Sequence, residues 1–254
     1  MRSGLLLLGA TLALAVVLAA SSLTSGPPGA AGRAASAGPP VVLAAASLSD
    51  VLPKIAPDVR VSFGGSDQLA QQVRQGAPFD VFLSASPRYT GELHAEGLVR
   101  KPVVFATNSL VVIVPRGNPA RIRTIADLAR RPRLRLVAAG PQVPIGLYTR
   151  EVLERLGLLR VLRKAVSLEP DVKGILGKVA LGEADAGLVY ATDVTPVADE
   201  VRRIAIPARA QPTVRYELAV AAGPVDLEAA QELVRSLLGP DGRRALRRAG
   251  FGRA

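Results

Sequence analysis

The chain has 254 residues, 49% hydrophobic, 21% charged and only 4% aromatic, enough apolar material for one large or two modest globular domains and too much for disorder throughout. It contains no cysteine and a single histidine, His94, which excludes cysteine-ligated metal centres, disulfide frameworks, thiol nucleophiles and multi-histidine metal sites. The formal charge is +11, of which Arg2 and Arg33 lie before Val41, so anionic partners merit consideration.

Arg2 is followed by residues 5–20 without a charged side chain, the pattern of a secretory signal peptide, predicted over 1–22. Residues 23–40 are dominated by Ala, Gly, Pro and Ser. Such a segment has too little apolar bulk to offset chain entropy and is expected to be a flexible tether. The N-terminal segment could also stay uncleaved as an anchor. A strand is predicted over 41–46, and at its end Ser47 is a natural helix N-cap with Asp50 as the acidic half of a capping box. Pro53 then requires the first helix to be short or broken. A second strand over 59–63 runs into Gly64-Gly65-Ser66, where the glycines permit close backbone approach and Ser66 offers a hydroxyl at the start of a helix over 67–74.

A strand over 80–84 follows, then a polar helical stretch in which His94 is read as a solvated surface residue. Strands are predicted over 110–115 and 134–138. Pro144 stands at the first position of a helix that runs through 147–156 and stops at Gly157. The best helical periodicity spans 171–182, where Val172, Ile175, Leu176, Val179 and Ala180 form one buried stripe. A strand over 186–190 ends on Tyr190. Another strand over 216–221 precedes helices over 226–238 and 241–248.

Alternation of short apolar runs with helix-period segments predicts an α/β fold. Ligands of such folds sit beyond the carboxyl ends of the strands, and helix starts present unpaired N–H groups to anions. Asp80, Asp185 and Asp193 are expected to cap and hydrogen-bond rather than to catalyse. The basic runs at 130–135 and 243–248 carry no interleaved aromatics and are read as solvated faces, so no nucleic-acid partner is expected.

The motifs Ala44-Ala45-Ala46-Ser47-Leu48, Phe63-Gly64-Gly65-Ser66, Gly76-Ala77-Pro78-Phe79-Asp80-Val81-Phe82, Asn108-Ser109-Leu110, Val143-Pro144-Ile145-Gly146-Leu147-Tyr148, Asp171-Val172-Lys173 and Gly182-Glu183-Ala184-Asp185-Ala186-Gly187 occur in one order. In that set the chain resembles the substrate-binding proteins of molybdate ABC transporters. The resemblance implies a two-lobed periplasmic-binding-protein-like fold of type II, with lobe I at 41–107 plus 214–254 and lobe II at 108–213, joined by two hinge crossings at the 110–115 and 216–221 strands. It implies a site of uncharged donors at Ser47, Ser66, Ile145, Val172 and Tyr190 for a molybdate or tungstate dianion, with no cofactor, no directly bound metal and no catalytic residue. The partner it implies is a membrane permease with a cytoplasmic ATPase, served by a monomeric, exported protein on the periplasmic or extracellular face. A receptor for another tetrahedral oxyanion such as sulfate or thiosulfate, and more distantly an exported two-lobed enzyme, are the competing readings.

Overall fold

The computed structural model describes residues 38–254; the predicted signal peptide and most of the predicted tether lie outside the described residues. Ten strands form two five-stranded mixed sheets. The first is ordered β2-β1-β3-β10-β4, with β1 (Val41–Ala45), β2 (Arg60–Gly64), β3 (Val81–Ser84), β4 (Val103–Asn108) and β10 (Val214–Val220). The second is ordered β7-β6-β8-β5-β9, with β5 (Leu110–Pro115), β6 (Leu136–Ala139), β7 (Ala165–Glu169), β8 (Ala186–Tyr190) and β9 (Val201–Ala205). β1 pairs in parallel with both β2 and β3, and β6 with both β7 and β8, whereas β10 and β5 run antiparallel to each of their neighbours. The chain passes between sheets twice, through Ser109 after β4 and through the segment between β9 and β10. Two mixed sheets flanked by helices make this the expected α/β, two-lobed architecture.

The parallel pairs need crossovers, and these supply the helices that cover the sheets. α2 (Ser66–Arg74) and α3 (Pro87–Ala95) pack Leu69, Val73, Tyr89 and Leu93 with Leu43 and Phe82 of the first sheet. α5 (Pro144–Arg155) and α6 (Val172–Ala180) bury Val152, Leu153, Ile175 and Val179 in the core that takes in the second sheet. The predicted periodic stripe on α6 is thus the packed face. α7 (Leu227–Leu238) and α8 (Pro240–Arg248) close the chain, and Leu246 and Phe251 are buried. Asp80 ties two of these pieces together, since its carboxylate accepts from the N–H of Val41 at 2.7 Å and of Asp226 at 2.8 Å.

Two expectations are corrected. Ser47 is not an N-cap: it is the middle residue of a 3-10 turn, Ala46–Leu48, whose cap position is Ala45. Asp50 completes no capping box and pairs with Lys173 instead. The first helix is broken as Pro53 requires, leaving only the four-residue α1 (Leu52–Ile55). Ser66 stands at the start of α2 as expected, as its first residue, with Gly65 in the cap position. The strands β4, β7 and β9 were not foreseen; each is the edge of its sheet, with Val103, Val166, Leu168, Arg202 and Arg203 exposed. The remaining α-helix, α4 (Asp127–Arg130), is one turn whose Asp127 carboxylate accepts from the Arg123 and Thr124 N–H groups of the preceding loop.

Candidate functional site

A small cleft, about 210 Å³ in all, lies where the carboxyl ends of β1, β2 and β8 meet the amino ends of α2, α5 and α6. Ser47, Ser66, Ile145, Val172 and Tyr190 all line it, together with Gly64, Gly65 and Ala85 on one side and Val143 and Pro144 on the other. Ser47 and Ser66 follow β1 and β2 of the first sheet, whereas Ile145 and Val172 stand in the first turns of the helices that follow β6 and β7 of the second, and Tyr190 ends β8 of that sheet. Among the described residues the lining includes no Lys or Arg, and its single carboxylate is Asp171. That carboxylate is engaged by its own helix, accepting from the N–H of Lys173 at 2.8 Å and of Gly174 at 3.1 Å. The cap leaves the Val172 N–H as the unpaired donor of the first turn of α6. At α5, Pro144 takes the first position and has no N–H, so Ile145 supplies the first backbone donor of that helix.

The hydroxyls are set to donate. Ser66 Oγ accepts from the Ala85 N–H at 3.1 Å, so its proton is left for the cleft. Ser47 Oγ lies 2.8 Å from the Tyr216 hydroxyl. Tyr190 is 2% exposed, and its hydroxyl has no hydrogen-bond partner among the described residues. Burial raises its pKa well above the ordinary phenol range, reinforced by Tyr216, Tyr148 and Asp193, so the group stays a neutral O–H. A buried hydroxyl left unpaired costs about 1–3 kcal/mol, and a ligand oxygen in the cleft would remove that cost.

Contacts bridge the cleft between the two sets of elements. Tyr148 donates to the Ala85 carbonyl at 3.3 Å, Tyr89 donates to the Gln142 carbonyl, and Lys173 pairs with Asp50. Gly65 comes so close to Pro170 that a Cβ built on it would lie 2.4 Å from the Pro170 carbonyl oxygen. Its φ of −63° is open to any residue, so the glycine answers the close approach and not the backbone angle.

Asp67, adjacent to Ser66, does not line the cleft, and burial raises its carboxyl pKa. Asp185 bonds Arg135 as expected, but Asp193 departs from the capping role: it is buried at the end of β8 with neither oxygen hydrogen-bonded. Desolvation lifts its pKa to about 7 against the attraction of Lys173, whose Nζ is 3.5 Å away. The sequence reading gave no site role to Tyr216, Asn108, Lys173 or Asp193: Tyr216 bonds Ser47, Asn108 donates to Tyr216, and Lys173, next to Val172, lies against Asp193; the motifs Asn108-Ser109-Leu110 and Asp171-Val172-Lys173 held two of them. The basic runs are surface features, with Arg130 paired to Asp127 and Arg244 to Asp241. His94 is exposed, its Nδ1 3.0 Å from the Val99 carbonyl oxygen.

Among the described residues no cluster of acidic or histidine side chains could hold a metal ion, and no helix is long and apolar enough to cross a membrane. Residues 40–252 match the model of the family described as bacterial extracellular solute-binding protein. The chain is 38% identical over 218 residues to the molybdate-binding protein ModA of Mycobacterium tuberculosis, covering 82% of each chain. It is 32% identical over 197 residues to that of Escherichia coli, covering 71% of this chain and 76% of the other. The periplasmic molybdate-binding protein of Azotobacter vinelandii superposes with a TM-score of 0.74 over 83% of this chain and 97% of its own, at 22% identity, a likeness of fold.

Proposed function

Because the chain belongs to the bacterial extracellular solute-binding proteins, and within them to the molybdate-binding proteins, we propose that it captures molybdate or tungstate outside the cytoplasm and hands it to an ABC-transporter permease. Relatives of this kind are binding proteins of transport and not enzymes, and none of the cleft's side chains forms a nucleophile–base pair. In this reading Ser47, Ser66 and Tyr190 donate through their hydroxyls, and Ser47, Ser66, Ile145 and Val172 through backbone N–H groups. The observation that carries it is the Tyr190 hydroxyl, buried on a cation-free cleft wall with no partner of its own.

The chemistry favours neutral donors. A dianion that must be released unchanged is better held by dipoles than by guanidinium groups, whose paired charge slows departure. Each bond to the charged ligand contributes about 1.5–3 kcal/mol, so six or seven outweigh dehydrating the anion and closing the lobes. We take residues 41–107 plus 214–254 as one lobe and 108–213 as the other, hinged where the chain crosses between sheets. The ligand then favours the closed state because its contacts come from both lobes, and the Lys173–Asp50, Tyr89–Gln142 and Tyr148–Ala85 ties are made only there. The N-terminal segment would direct export and either be removed or hold the protein at the membrane.

The test is isothermal titration of the mature protein with molybdate, tungstate, sulfate and phosphate. Molybdate and tungstate are expected to bind far more tightly than the other two. Sulfate binding as tightly as molybdate would overturn the assignment in favour of a general tetrahedral-oxyanion receptor.

A further inference from the structure

Behind Ser47 a chain of hydrogen bonds runs back to the crossing between the sheets. Asn108 is the last residue of β4, and its Oδ1 accepts from the Ser109 N–H at 2.9 Å, which fixes which way the side-chain amide faces. Its Nδ2 therefore donates, to Thr192 Oγ1 at 2.9 Å and to the Tyr216 hydroxyl at 3.5 Å. With Asn108 donating to that phenol oxygen, the arrangement that leaves no phenolic proton unused sends it to the other neighbour, Ser47 Oγ at 2.8 Å. Ser47 in turn has its own proton free for the cleft. The Tyr216 ring cannot swing away: it is fully buried and packed edge-on against Phe105, Tyr190 and Phe251 at centroid distances of 6.1, 5.7 and 5.3 Å. Burial also keeps the phenol protonated.

We propose that Tyr216, oriented by Asn108, is a positioning residue that locks Ser47 as a hydrogen-bond donor and so biases the cleft towards oxyanions that carry no proton. This rests on the reading of the cleft as an oxyanion site. A serine hydroxyl free to rotate would serve equally as acceptor and could accept a hydrogen bond from the P–OH of hydrogen phosphate. Held by Tyr216 it faces such a ligand with a second donor, and a donor opposite a donor is repulsive. Ser66 is held in the same sense by the Ala85 N–H, but that donor is backbone and cannot be varied.

The experiment is a double-mutant cycle on the full mature chain, with molybdate and inorganic phosphate titrated separately into wild type, S47A, Y216F and the double variant. Y216F is expected to weaken molybdate about three- to tenfold while leaving phosphate affinity equal or higher, and on the S47A background to change molybdate affinity less than about twofold. N108A, altering the chain from its other end, is expected to shift the molybdate-to-phosphate ratio in the same direction, and thermal melting checks that each variant is folded. Unchanged molybdate affinity in folded Y216F, or the same loss with and without the Ser47 hydroxyl, overturns the positioning role while leaving the oxyanion site standing. Wild-type protein that binds no oxyanion overturns the site itself.

Discussion

Replacing Tyr190 with Phe removes a single oxygen and gives opposite signs in two measurements. In this structure the Tyr190 hydroxyl is buried without a partner among the described residues, so the ligand-free protein carries the desolvation cost of an unmade hydrogen bond, about 1–3 kcal/mol. Opening of the lobes to water relieves part of that cost, which leaves an expected stabilisation of about 0–2 kcal/mol for the ligand-free variant. The ring itself is retained, together with its edge contacts to Tyr148 and Tyr216 at 6.4 and 5.7 Å, so no cavity larger than the lost oxygen forms. With ligand bound, the same deletion removes one donor to a dianion, worth about 1.5–3 kcal/mol, or roughly a 10- to 150-fold loss of affinity. Titration calorimetry with molybdate and thermal melting of the ligand-free protein read the two effects separately. A variant that binds as tightly as wild type shows that the hydroxyl does not face the ligand. A ligand-free variant more than about 1 kcal/mol less stable shows that the hydroxyl has an internal partner.

Gly65→Ala places a methyl group 2.4 Å from the Pro170 carbonyl oxygen, so closure is obstructed; molybdate affinity is expected to fall at least about tenfold, with the ligand-induced contraction seen by small-angle scattering lost and the melting temperature little changed. Full contraction in this variant would show that the two backbones separate at no cost. Ser66→Ala removes both a cleft donor and the acceptor of the Ala85 N–H, and is expected to cost about 1–3 kcal/mol of affinity with a smaller loss of stability. Unchanged calorimetry for Ser66→Ala would take this side chain out of the site. Asp193 has a folded pKa of about 7 against an ordinary 3.8, so the stability it contributes is fully present below about pH 4 and is lost as pH rises through 7. Asp193→Asn should therefore gain on wild type across that interval, by a few kcal/mol at most given about 1.4 kcal/mol per pH unit, and level off above it. A difference in melting temperature that stays constant from pH 4 to 9 contradicts the buried, proton-binding carboxyl.

How far the sequence could be read depended on how local each determinant was. α6 was legible because a twelve-residue window contains its whole buried stripe, and β1, β3, β5 and β8 because central strands are apolar on both faces. The edge strands β7 and β9 were not, since Ser167 and Glu169 interrupt the one and Arg202 and Arg203 the other, and β4 was missed although it carries the apolar run 103–106. Capping was misjudged at Ser47 because a hydroxyl that suits an N-cap equally suits a long-range bond, and Tyr216, 169 residues away, takes it.

The alternation of apolar runs with helix-period segments therefore settled the α/β class, and the motifs that resemble the molybdate-binding family nominated Ser47, Ser66, Ile145, Val172 and Tyr190, because strand-to-helix junctions are written in adjacent residues. Which way each hydroxyl donates, why Gly65 has no side chain, and what stands behind the cleft were decided only when β10 was laid between β3 and β4 and the second sheet faced the first. Those features are contacts between residues far apart in the chain, and a pattern of neighbours carries no record of a partner that only folding supplies.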